Sequence, residues 1–107
     1  TIGDIGNAIE RYISSQGFSV IRDLCGHGIG TRLHQDPQVL NYGKRHSGPK
    51  LKRGMVVCPE PMASLGDYRI VKGKDGFTYK TKDNSLAVHF EHTVALTEKG
   101  AEVLTTI

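Results

Sequence analysis

Four residues in three short segments carry the chemistry this sequence could perform. In LCGHGIGTRLHQDPQV, Leu24 to Val39, His27 stands between Gly26 and Gly28, with Gly30 and His34 close behind. Glycines so placed let backbone approach a bound group closely or take positive φ, and a neutral imidazole is a good nitrogen ligand. The second segment, CPEPM, holds Glu60 between Pro59 and Pro61. Each proline fixes its own φ and biases the residue before it toward extended backbone, so a carboxylate there suits a site that holds a cation in fixed geometry. The same prolines would equally end a strand and leave Glu60 in solvent. The third segment, HFEH, His89 to His92, contributes Glu91. One imidazole and two carboxylates form a mixed N/O donor set suited to Mn, Fe, Co or Zn, whereas structural zinc favours thiolates. HFEH is not a zinc-peptidase helix motif, being one residue short of HxxEH and lying on a strand pattern.

Elements must position these side chains. Ile2, Ile5, Ala8, Ile9, Tyr12 and Ile13 recur at helical spacing, Thr1 and Asp4 form a capping-box pair, and Gly17 is placed to end the helix. Downstream the pattern alternates and predicts strands at about Phe18–Ile21, Gly54–Cys58, Phe77–Thr81, Ala87–Leu96 and Glu102–Leu104, with intervening loops such as NYGKRHSGPK and SLGDYRIVKGKDG. Lys74-Asp75-Gly76 and Lys99-Gly100 are hairpin signals. On the longest predicted strand Val88, Phe90, His92, Val94 and Leu96 form an apolar face. Ala87, His89, Glu91, Thr93 and Ala95 face the other way, a side that antiparallel sheets commonly leave in water. One helix followed by several strands indicates an α+β fold with a largely antiparallel sheet.

Length and composition bound the function classes. With 107 residues, 37% hydrophobic and 23% charged, residues 1–107 are expected to make a single domain. The net charge of +3 is dispersed apart from KLKR at Lys50 to Arg53, which has no aromatic stacking platform and reads as a solvated loop, so no specific nucleic-acid partner is expected. No apolar run approaches the roughly 20 residues that span a bilayer, which argues against a membrane role. Cys25 and Cys58 are not a CxxC pair, and their spacing leaves a disulfide open; without a visible secretory signal, reduced thiols in the cytoplasm are expected. A chain that starts at Thr1 rather than Met is expected to be processed or excised.

Taken together, GHGIGTRLHQDPQV, GMVVCPEPM and DNSLAVHFEHTVALTEKGAEVLT resemble the C-terminal half of the type I methionine aminopeptidases, metallopeptidases of the pita-bread fold. The resemblance covers nearly the whole chain and implies half of a pita-bread fold, a curved sheet with one or two helices. It implies removal of the initiator methionine from nascent proteins and N-terminal methionine peptides at a site with two divalent metal ions (Co, Mn, Fe or Zn), held by two Asp, one His and two Glu. Carried onto this chain, the metal ligands are His27, Glu60 and a bridging Glu91. Glu60 doubles as the catalytic proton shuttle, and His34 is the catalytic histidine that contacts the substrate carbonyl. Leu33 and Phe77 hold positions usually occupied by Phe and Trp in the methionine pocket. His46 and His92 are expected to be a loop side chain and a packed strand residue. None of Asp4, Asp23, Asp36, Asp67, Asp75 and Asp83 matches the setting of the two Asp ligands, and a further upstream histidine is also without counterpart. Cys58-Pro59 replaces the usual Thr-Ile, and His89 stands where Gln is common. The missing ligands imply a partner, either an N-terminal half or a second copy. Two other readings of the same fold are a non-catalytic binding module and a proline-specific or dipeptide-cleaving enzyme.

Overall fold

A computed structural model describes residues 1–107. Helix α1, Ile2–Ser15, starts at the expected capping box: the Thr1 hydroxyl accepts from Asp4 N, and the Asp4 side chain reaches back to Thr1. Its apolar stripe lies on a five-stranded sheet, where Ile2, Val39 and Val57 are buried together and Ile5, Leu51, Val94 and Leu96 pack around them.

All strand pairs are antiparallel. The five-stranded sheet runs β10 (Gly100–Val103), β9 (Val94–Thr97), β4 (Val56–Cys58), β2 (Gly26–Gly28), β3 (Gln35–Val39). A three-stranded sheet runs β1 (Ser19–Val20), β5 (Met62–Ser64), β8 (Ala87–His89), and β6 (Ile70–Lys72) pairs with β7 (Tyr79–Thr81). The α+β class therefore holds. Both hairpin signals fall in turns, between β6 and β7 and between β9 and β10.

Several elements depart from the sequence expectation. Gly26–Gly28 is a central strand rather than a loop, and β3, β5 and β6 carry no alternation that marks them. Within β3, Pro37 interrupts the pattern; in β2, two of the three residues are glycine. The predicted strand Ala87–Leu96 is two strands, β8 and β9, in different sheets. The register explains the split. Met62 pairs with His89 and Ser64 with Ala87, while Val57 pairs with Val94 and Val56 with Ala95, so one constant offset runs through both sheets. Between them Phe90 N donates to Pro61 O at 3.0 Å and His92 N to Pro59 O at 3.4 Å. Neither proline has an N–H to return the bond, so the ladder is one-sided there. The two segments form one ribbon that passes from sheet to sheet through its proline-flanked middle. Its expected apolar face is covered only along β9, for Val88 and Phe90 stay 48% and 66% exposed. No helix is long and apolar enough to cross a membrane, and both cysteines are free.

Candidate metal centre

That ribbon positions the candidate ligands. Its offset sets Glu60 opposite Glu91, and the bonds at Phe90 and His92 make this a non-hydrogen-bonded pair, the kind in which facing side chains lie closer. In the neighbouring pairing, His27 is opposite Cys58. Opposed residues share a face, as do residues two apart along a strand. His27, Cys58, Glu60, His89, Glu91 and Thr93 therefore project to one side.

The glycines around His27 serve this arrangement by close approach of protein backbone. A Cβ on Gly26 would collide with the carbonyl oxygen of Cys58, and one on Gly28 with that of Asp36. Neither residue has positive φ, and what approaches them is the adjacent strand rather than a bound group.

His27 is buried, at 9% exposure. Its Nδ1 lies 2.9 Å from Gly28 O, and because a carbonyl only accepts, Nδ1 carries the proton. Nε2 then faces Glu60 Oε2 at 2.9 Å and Glu91 Oε1 at 3.7 Å. The other Glu60 oxygen, Oε1, is 3.0 Å from His89 Nε2. Fully buried Asn41 holds the Glu60 backbone, with Nδ2 donating to Glu60 O at 2.9 Å, while its own Oδ1 has no partner. Two carboxylates directly opposed across strands repel. A divalent cation among these donors would relieve that repulsion, and the carboxylate and imidazole types fit one. Donor atoms of two overlapping triads, His27/Cys58/Glu91 and Glu60/His89/Glu91, lie within 4.8 Å of one another.

His34 lies on the open side, its ring centroid 4.3 Å from that of His27 with the planes at 67°. His27, His34, Glu60 and His89 line one cleft of about 720 Å³, whose apolar wall includes Ile21, Leu24, Met62, Ile70 and Tyr79. Cys25 lines it too, and burial followed by the Glu60 charge pushes its thiol pKa up. Leu33 and Phe77 are 67% and 86% exposed and do not line this cleft. His46 is the expected loop residue. His92 differs from expectation: it is exposed, with Nδ1 2.8 Å from Thr105 Oγ1, because its side of the ribbon is uncovered. Cys58 and His89 join the cluster without a motif to mark them. The available signal was parity, Cys58 lying two residues before Glu60 and His89 two before Glu91.

Comparisons with known proteins point to one family and one fold. Residues 1–98 match the model of metallopeptidase family M24. The chain is 49% identical over 104 residues to a methionine aminopeptidase of Clostridium perfringens, covering 97% of this chain and 42% of that protein. It is 53% identical over 104 residues to methionine aminopeptidase B of Synechocystis, covering 97% of this chain and 38% of that one. The crystal structure of a Thermotoga maritima methionine aminopeptidase superimposes with a TM-score of 0.96 at 49% identity, over 99% of this chain and 43% of that chain. The expected half pita-bread architecture is thereby borne out. The chain spans about two fifths of the length of these relatives.

Proposed function

The chain belongs to metallopeptidase family M24, and on that premise we propose that it forms the C-terminal part of a methionine aminopeptidase. It would act on N-terminal methionine peptides and nascent proteins in the cytoplasm. The observation that carries this reading is the convergence of three separate segments: His27 and Glu60 line one cleft, 2.9 Å apart, and Glu91 lies 3.7 Å from His27.

His27, Glu60 and Glu91 would hold the divalent metal, and Glu91, opposite Glu60 and next to His27, is the ligand that two ions would share. Bound metal would supply Lewis acidity to the scissile carbonyl and to the attacking water. Glu60, with one oxygen toward His27 and the other toward His89, holds and passes the proton of that water to the leaving amine. His34, at the open side of His27, donates to the developing oxyanion. The apolar wall formed by Ile21, Leu24 and Met62 offers the methionine side chain an apolar surface, and Leu33 and Phe77, exposed in this chain, would add outer contacts to that pocket.

The part of the relatives that this chain does not cover would bring the two Asp ligands and the upstream histidine. The test assays Met-, Xaa-Pro- and dipeptide substrates with the chain alone, with that N-terminal part added, and with Glu91→Gln in the mixture. Turnover of methionine peptides only in the mixture, abolished by Glu91→Gln, is expected. Turnover by the chain alone that survives Glu91→Gln would refute the assignment.

A further inference from the structure

Cys58 has no part in the function above, yet it sits inside the donor cluster. It is 1% exposed, directly opposite His27 in the β2–β4 pairing, and its sulfur contacts Thr93 Oγ1 at 3.5 Å. A sulfur atom, an imidazole nitrogen and a carboxylate oxygen from His27, Cys58 and Glu91 lie within 4.8 Å of one another, a spread that small side-chain adjustments would close onto one ion. The second triad, Glu60, His89 and Glu91, shares Glu91 but contains only nitrogen and oxygen donors. We propose that Cys58 is a metal ligand, completing with His27 and Glu91 an N/S/O site for a thiophilic divalent ion. This rests on the reading of His27 and Glu91 as ligands and adds the sulfur.

Sulfur and imidazole donors favour zinc, cobalt or cadmium, whereas a purely carboxylate and water set also suits manganese. The same sheet supplies an outer-shell partner: on metal binding the Thr93 hydroxyl is placed to donate to the coordinated sulfur, the kind of contact that orients a ligand.

The test titrates the 107-residue chain with cobalt(II) and follows absorption. A sulfur-to-cobalt charge-transfer band is expected in the wild type and in Cys25→Ser. In Cys58→Ser that band should vanish while the weaker visible cobalt bands persist. Zinc affinity of Cys58→Ser should fall by at least the roughly 10-fold that loss of an outer-shell partner costs, with a smaller change for manganese. Should Cys58→Ser not fold by circular dichroism, Cys25→Ser decides alone, since Cys58 is then the remaining thiol: its band supports the site and its absence overturns it. Cobalt bound without a sulfur band, or a band that follows Cys25, overturns the role of Cys58 only. No cobalt bound at all overturns the metal reading of His27 and Glu91 as well.

Discussion

Replacing Gly26 by Ala should be among the most damaging single-methyl additions possible in this chain. The new Cβ would collide with the carbonyl of Cys58 and lie 3.1 Å from Glu60 N, both of them backbone groups of the adjacent segment. No side chain can swing aside to relieve this, so the strands must separate. Strand β2 meets β4 through the His27–Cys58 and Gly28–Val57 pairs, continued by the bond from Ile29 N to Val56 O, so separation at the Gly26 end forfeits one or two hydrogen bonds at about 1 kcal/mol each. Overpacking adds about 1–3 kcal/mol. The expected total is about 2–5 kcal/mol, a large share of the 5–15 kcal/mol that typically holds a domain. Gly54→Ala is the control: nothing lies within 4 Å of its Cβ, and its cost is confined to φ +91°, about 1–2 kcal/mol. Urea unfolding of both variants, compared at equal m, gives the two values. Cobalt absorption adds a second readout, because the same separation draws His27 away from Cys58 and Glu60. A Gly26→Ala midpoint at or above that of Gly54→Ala, with unchanged cobalt binding, would refute the close-approach account.

Three further outcomes are expected. In the assembled enzyme, His34→Ala should lower kcat by about 100-fold while metal content, measured by atomic absorption, stays unchanged; parallel loss of both would make His34 a ligand. Asn41→Ala should cost about 1–3 kcal/mol in denaturant unfolding, because it leaves the Glu60 carbonyl without its buried donor. At the β6–β7 turn, the Thr78 hydroxyl and the backbone N–H groups of Thr78 and Phe77 hold the Asp75 carboxyl down at about 2 from its ordinary 3.8. A lowered pKa means stability present above 3.8 and lost as pH falls toward 2, so the advantage of wild type over Asp75→Asn should shrink across that interval. Carboxyl NMR titration near 3.8 would contradict this.

Local patterns and non-local pairing were unequally legible in the sequence. Helix α1 declares itself through Thr1, Asp4 and the spacing of its isoleucines, all within one segment. His27, Glu60 and Glu91 stand out by type, and strand alternation alone puts Glu91 and His89 on one face. What remained hidden depends on a neighbour far along the chain. The break between β8 and β9 is imposed by Pro59 and Pro61, some thirty residues earlier, since an acceptor-only partner removes half the ladder. Strand β2 hides because glycine marks turns more often than strands, and here it marks the tight passage of Cys58 and Asp36. Cys58 enters the cluster only because β2 pairs with β4 in a register that places it against His27.

The continuous register through both sheets makes the donor set an all-or-none reporter of correct assembly. Cys58 and Glu60 lie on one strand segment and His89, Glu91 and Thr93 on the other, so a slip of one residue would turn one whole group to the opposite face. A ribbon slipped by one residue keeps only one of the two groups on the site's face. Capture of a metal ion during folding would therefore select the correctly paired ribbon from its near-misses, acting as a thermodynamic proofreader of strand register.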